Sequence, residues 1–378
     1  MKNLHLMPMN STFDDDTVIE LTDLFPEVEN LFLHPVQRSA LAGCPNSRVV
    51  PEAFTPEYIN LHCGEYDQIF LHSLFLTPDQ ILRLSQEAVR KITWCIWGHD
   101  LYTTKSHKKR DLRTCAGAAI HCVKKLLRGT YIRQARHRRL VAERVAAFRR
   151  IAIGYPYDER MIRKKYGPNA TVVYGPYFSR TTEANIGRLR RMHLDRKEST
   201  VHILIGHSGF AFLEHEKYLK RLAAYRDEDI RIHLVLSYGA SAQRIAELTA
   251  LAHSLFGPEK CEIITEMMPK SAYYEYLTQM DIAIFPFRHQ SALGNTRRLA
   301  YMGVKMYLDP RGVLAKGFRD GGVRTFDCRR IGRIPFAQFC AEVAPPDTHA
   351  LLFDTFSYQK NIAAWSSIIN DRNEECHE

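Results

Sequence analysis

The sequence predicts an α/β protein of two domains, each built on a mostly parallel sheet. Three observations lead there. The chain has 378 residues, more than one ordinary core supports. Strand-like and helix-like segments alternate in both halves, the pattern of parallel sheets with helical crossovers. Strand candidates such as 200–206 are apolar almost throughout, as strands covered on both faces must be.

In the first half, Thr17–Leu24 reads as a strand and helix start, and Glu65–His72 as a strand ending in His72 and Ser73. Thr77 is a good N-cap and Pro78 suits a first helical turn, so a helix opens there. The run Lys91–Tyr102 holds two of the three tryptophans; its strand ends at Gly98 and is followed by His99 and Asp100. Open α/β sheets bind ligands beyond the carboxyl ends of their strands. A carboxylate or imidazole there is either a structural cap or a general base. Asp100 and His72 are the candidates for proton transfer, with His99 as a rival. Residues 111–148 carry spaced apolar positions, giving one or two amphipathic helices with a break near Gly129. Arg150–Ile153 and Ala170–Tyr174 are short strands around a helix at 158–166.

Residues 179–199 are polar without strand character and are expected to link the domains. The expected division is an N-terminal domain 1–178, a linker 179–199, a C-terminal domain 200–340 and a helical tail 341–378. The alternation restarts at 200–206, with further strands at 230–237, 261–265, 281–287 and 304–308 and helices between them.

Two turns in this second half suit anions. Gly206-His-Ser-Gly209 joins a strand to a helix; Gly206, Ser208 and Gly209 are the expected phosphate contacts, through close backbone approach and free N–H groups. Arg288–Thr296 follows another strand and offers Arg288, Gln290 and Gly294 as donors or close-approach positions. Either turn alone is equally an ordinary strand–helix connection; two in one domain favour a nucleotide diphosphate. Tyr238, at a third strand end, is a candidate base or ribose contact.

Composition narrows the partners. Apolar residues form 45% and charged residues 25% of the chain, which is globular usage. No run of about 18 apolar residues occurs, so no membrane span is expected. The N-terminus, with three consecutive aspartates, is unlike a secretory signal. Nine cysteines without a CxxC pair and 17 histidines without HExxH argue against a zinc site or a disulfide framework and fit a reducing cytoplasm. The net charge of +10 is concentrated: between Lys105 and Arg150 fifteen basic residues face only Asp111 and Glu143. That face suits anionic lipid or nucleic acid. Only Tyr131 and Phe148 there are available for base stacking, which disfavours a non-enzymatic nucleic-acid-binding protein.

Trp94–Tyr102 is similar to the W-x-x-W-G-x-D-L-Y motif of the TDP-Fuc4NAc:lipid II Fuc4NAc transferases, which act in enterobacterial common antigen synthesis. Phe70–Phe75 resembles that family's histidine-bearing strand end, and Ile203–Gly209 with Glu214 and His215 its I-L-x-G-x-S-G…E-H segment. Tyr273, Leu277, Asp281, Gln290, Gly294 and Gly303 line up in order and spacing. The likeness covers roughly 65–310. It implies a GT-B fold: two Rossmann-type domains facing an interdomain cleft, with nucleotide-sugar in the C-terminal domain and acceptor on the N-terminal side. It also implies no cofactor and no metal, a polyprenyl-diphosphate-linked saccharide as acceptor, and a peripheral place on the inner face of the bacterial inner membrane. The basic 105–150 stretch suits such a surface, and no nucleic acid is then expected as a partner. Residues 1–60 and the last 40 fall outside the likeness. The same scaffold with a UDP- or GDP-sugar, in capsule or O-antigen synthesis, is the alternative.

Overall fold

The computed structural model describes residues 1–8, 12–98, 100–102, 130–175, 183–341 and 358–371. Its contacts divide the chain into two units, Met1–Arg180 with Tyr358–Glu378, and Thr181–Ser357.

The first unit is built on a seven-stranded sheet in the order β3-β2-β1-β4-β5-β6-β7, with every pair parallel. Its strands are β1 (Lys2–Leu6), β2 (Glu29–His34), β3 (Ser47–Val49), β4 (Gln68–His72), β5 (Ile92–Cys95), β6 (Arg150–Ile153) and β7 (Val172–Tyr174). β4 and β5 are buried at every position, including the polar Gln68, His72 and Thr93. The connections reverse direction between β1 and β4, so the sheet has a topological switch point there.

One face of this sheet is unusually polar for a core. Asn3 Nδ2 donates to Asn30 Oδ1 at 3.2 Å, His5 Nε2 lies 3.1 Å from the same oxygen, and His5 Nδ1 lies 3.0 Å from His72 Nε2. Buried polar groups persist when they find such partners. Burial pushes the His72 imidazole well below its ordinary value, with His5 and His34 adding to the effect, so it stays neutral.

The expected tail is part of this unit. Helix Tyr358–Ile369 inserts Trp365, fully buried, 6.2 Å from both the Phe70 and His72 rings. Its terminal carbonyls have no intrahelical donors. Gln68 Nε2 serves Ile368 O at 3.2 Å and Ile369 O at 3.1 Å, and Arg150 Nη1 serves Ile368 O at 3.0 Å. Arg149 and Arg150 also pair with Asp371.

The second unit has a six-stranded parallel sheet in the order β10-β9-β8-β11-β12-β13. Its strands are β8 (Val201–Ile205), β9 (Ile230–Val235), β10 (Cys261–Ile264), β11 (Ile282–Phe285), β12 (Lys305–Leu308) and β13 (Phe326–Asp327). The same reversal places its switch point between β8 and β11. Ser241 caps helix Ala242–Phe256 by accepting from Arg244 N–H at 3.2 Å.

Three expectations need correction. Residues 179–199 are not a plain linker: Glu183–Leu194 is a helix of the second unit, held by Arg188 on Glu275 at 2.9 Å and by His193 Nδ1 at 2.9 Å from Thr278 O. Only Ile186 and Leu189 of its large apolar side chains are buried, while Met192 and Leu194 are exposed, so the mixed pattern hid it. Thr17–Leu24 lies inside helix Thr12–Leu24, where no strand forms. The basic stretch, expected as one basic face, is divided among the described residues. Helix Thr130–Ala146 exposes Arg133, Arg136, Arg138 and Arg139, but Arg144 reaches Leu84 O while Arg149 and Arg150 hold the C-terminal segment. Residues 103–129, including the remaining lysines and arginines, lie outside the described residues, as does His99.

Candidate functional site

Both switch points carry sequence-predicted residues. In the second unit, the loops after β8, β9 and β11 come together. Gly206 N–H donates to Ile284 O at 3.0 Å, closing the β8–β11 junction, and Gly209 N–H donates to Tyr238 O at 2.7 Å, tying the β8 and β9 loops. Gly209 has no room for a side chain: a Cβ there would lie 2.3 Å from Ala240 Cβ. Gly206 needs its glycine for a different reason, a φ of 72°, with Leu213 packed against the position. Ser208 is fully buried, whereas Tyr238 keeps 43% of its surface.

The β11 loop leads into helix Leu293–Met302. Ala292 sits at its N-cap in the left-handed region with φ 50°, and no side chain caps the helix. Its first N–H groups are therefore left for an external acceptor, where the helix dipole favours negative charge. Arg288, five residues before the helix, is half-exposed, and Gln290 is half-buried. Gly294 is exposed in the first turn. The structure thus gathers Gly206, Ser208, Gly209, Tyr238, Arg288, Gln290 and Gly294 onto neighbouring loops at one sheet edge.

Among the described residues, the three non-glycine residues with positive φ are Ser73, Glu214 and Ala292. They follow β4, β8 and β11, the strands that flank the two switch points. Such conformations cost about 1–3 kcal/mol each and concentrate where function demands them.

His207 was missed by sequence reasoning. Its ring lies against Phe212, Tyr238, Phe285 and Phe287, with Nε2 3.4 Å from Ser291 Oγ of the β11 loop. Burial first, then His215 and His289, lowers its pKa to about 3. A neutral imidazole there joins the β8 and β11 loops. Asp309 and Arg311, which follow β12, were missed as well. Arg288 Nε donates to Asp309 Oδ2 at 2.9 Å, so the expected cation arrives with a carboxylate partner. A Pro310 turn after a strand was the one signal available.

In the first unit, Asp100 sits close to β4 and β5 but is fully engaged. Its Oδ2 accepts from Trp94 Nε1 at 2.7 Å and Leu74 N–H at 3.0 Å; its Oδ1 accepts from Trp97 and Leu101 N–H, both at 3.1 Å. Four donors occupy the lone-pair sites of a carboxylate. The geometry is that of a group holding two loops together, one of the two roles that the sequence leaves open for Asp100. His72 is fully buried beneath Trp365, its Nε2 committed to His5. It too faces the interior.

Among the described residues, no group of three or more His, Cys, Asp or Glu is placed to hold a metal ion, and no helix is long and apolar enough to cross a membrane.

The architecture matches solved glycosyltransferases. A glycosyltransferase from Rickettsia africae superposes with a TM-score of 0.61 at 12% identity, over 98% of this chain and 99% of that one. HepE from Anabaena, solved in complex with UDP and glucose, gives 0.61 at 13% identity over 98% and 99%. WaaG, a glycosyltransferase of lipopolysaccharide biosynthesis, gives 0.56 at 10% identity over 98% and 100%. At these identities the likeness establishes the fold, GT-B. Residues 130–369 match the family model described as 4-alpha-L-fucosyltransferase, glycosyl transferase group 56. That span is more than half of the chain and contains the whole second unit's sheet; the protein is a glycosyltransferase and belongs to glycosyl transferase group 56.

Proposed function

We propose that the protein transfers a deoxy-amino sugar, 4-acetamido-4,6-dideoxygalactose, from its TDP diphosphate donor to a polyprenyl-diphosphate-linked saccharide. The observation that carries this reading is the uncapped start of helix Leu293–Met302 at the β8–β11 switch point, with the half-exposed Arg288 in the loop that leads into it. Free N–H groups at a helix start and a nearby cation in the chain suit a phosphate-bearing ligand. The family match supports sugar transfer, and HepE's complexes with UDP and UDP-glucose support a nucleotide-sugar donor on this fold.

In this reading the diphosphate rests on the amides of the β11 loop and on Gly206–Gly209, and Tyr238 meets the base or ribose. As the sugar leaves, charge grows on the diphosphate. Fixed N–H dipoles and the Arg288 guanidinium stabilise it without a metal ion. Asp100 and His72 act on the acceptor side by fixing the loops after β4 and β5. The exposed arginines of helix Thr130–Ala146, with Ile132 71% exposed among them, suit an anionic membrane surface at the cytoplasmic face.

HepE's UDP-glucose complex favours a second reading, in which the donor is a UDP-sugar on the same scaffold. The test is label transfer. TDP-linked and UDP-linked sugars carrying a radiolabel are incubated with a lipid-linked acceptor, with and without EDTA, and label is followed into the organic phase. EDTA-insensitive transfer from the TDP-sugar supports the first reading. Transfer from the UDP-sugar alone replaces it with the second. Transfer that EDTA abolishes refutes the metal-free account, and none from either donor refutes both donor readings.

A further inference from the structure

The cation expected at the donor site is half of a pair. Asp309, at the end of β12, accepts from Arg288 Nε at 2.9 Å and from Arg311 twice, Nε on Oδ1 at 2.9 Å and Nη2 on Oδ2 at 2.8 Å. Arg311 N–H also donates to Asp309 Oδ1 at 3.0 Å. The carboxylate is buried, with 8% of its side chain exposed, while each arginine side chain is 51% exposed. Burial alone would push the Asp309 carboxyl up; the hydrogen bonds from Arg311 and Arg288 outweigh it and hold the group well below the usual carboxylate range.

Charge and geometry both look past a structural ion pair. One negative charge faces two positive ones, so the cluster carries an excess positive charge at a sheet edge. Asp309 occupies Nε of both guanidiniums and one further nitrogen of Arg311, leaving the remaining N–H groups for another acceptor. The next arginine along the edge, Arg329, is bound to its own Asp327 at 2.7 Å and does not compete. The two loops are locked to each other: Val313 N–H donates to Arg288 O at 3.0 Å, and a Cβ on Gly312 would lie 2.9 Å from Phe287 O. The second arginine is thus held in fixed relation to Arg288, on the loop that leads into the uncapped helix.

We propose that Asp309 is a positioning residue that holds Arg288 and Arg311 as a two-guanidinium clamp for the diphosphate of the donor. The proposal rests on the donor reading above and assigns to Arg311 the second phosphate contact. Guanidinium groups suit this task because their planar forks meet phosphate oxygens in pairs, and prior orientation by Asp309 lowers the entropy lost on binding.

The experiment is calorimetric titration of the full chain with TDP, UDP and GDP, each beside its monophosphate. Wild type is expected to favour the diphosphate of its nucleotide. Arg311→Gln is expected to narrow that diphosphate-to-monophosphate ratio roughly ten-fold or more, the size of one lost charge-assisted phosphate contact. Affinity for the monophosphate should stay the same, which also reports that the variant is folded. Arg311→Lys should restore part of the ratio, because it returns the charge without the fork. Asp309→Asn should narrow the ratio too, by releasing both arginines. An Arg311→Gln variant that keeps the wild-type ratio overturns the clamp while leaving the donor reading intact. A wild type that binds no nucleoside diphosphate overturns the donor reading and the clamp with it.

Discussion

Replacing Asp100 with asparagine separates two roles that the sequence alone leaves open. In the structure its oxygens serve Trp94 Nε1, Leu74 N–H, Trp97 N–H and Leu101 N–H. The substitution turns one oxygen into an NH2 group, so two of the four donors lose their acceptor and face another donor. Trp94 is fully buried and the loop amides are partly so. Leaving a buried donor unsatisfied costs about 1–3 kcal/mol. Two of them put the loss at roughly 2–6 kcal/mol, before the loss of charge-assisted strength in the remaining bonds. The assay is urea denaturation of the variant beside wild type, with transfer rates measured on the folded fraction. The positioning role predicts a fall in stability of that size, with a modest effect on the rate per folded molecule. A general base predicts the opposite: unchanged stability and a rate lowered about 10²–10⁴-fold. That second result would refute the reasoning.

Three further substitutions probe the frame around the sites. Gly209→Ala places a Cβ 2.3 Å from Ala240 Cβ and is expected to destabilise the second unit by about 1–3 kcal/mol and weaken nucleotide binding, read by thermal shift with and without nucleotide. Trp365→Ala removes a fully buried ring packed against both Phe70 and His72; a loss of about 3–5 kcal/mol is expected, with hydrogen exchange rising in the first unit. Asp14→Asn addresses pH. Burial pushes the Asp14 carboxyl up to about 8, with Arg38 opposing and Asp15 adding to the rise, against 3.8 for the ordinary group. The folded protein therefore holds this proton more tightly than the unfolded chain. The stability it contributes is present below about pH 4 and is lost as pH rises through about 8. The asparagine variant should gain on wild type across that window, by on the order of a few kcal/mol, and hold its advantage at higher pH. Denaturation midpoints that run parallel from pH 4 to 9 would contradict it.

The sequence revealed the second unit more fully than the first, for physical reasons. β8, β9, β11 and β12 are followed by Gly206, Tyr238-Gly239, Arg288 and Asp309, and glycine or an ionisable residue at a strand end is a strong local signal that outweighs the polar His202, Arg231, His233 and Lys305 within these strands. β1 carries Asn3 and His5 within its buried positions, and β2 carries Asn30 and His34. Each polar residue there lowers strand character, and the partners that make Asn3, Asn30 and His5 tolerable lie on neighbouring strands 25 to 67 residues away. Helix Glu183–Leu194 hid for a related reason: its tertiary contacts, Glu275 and Thr278, come from a segment more than 80 residues on.

At the site, residue identity was legible and pairing was not. Arg288 stood out as a cation after a strand, but its partner Asp309 lies 21 residues on, across a helix and a strand. Asp100 followed a strand end and a glycine, which suits a base as well as a loop clasp. Only the positions of four N–H groups distinguish the two, and three of those come from residues within six positions of Asp100 whose turn geometry the sequence does not specify.

The central claim is that the loops at the β8–β11 switch point hold the donor's diphosphate. Amide hydrogen exchange on the full chain, with and without a saturating nucleoside diphosphate, tests it most directly. The account predicts slowed exchange at 206–210, 238–241 and 288–295, with the largest effect at the uncapped start of helix Leu293–Met302. Protection confined to the first unit, or absent from all three loops while the nucleotide is bound, would contradict it.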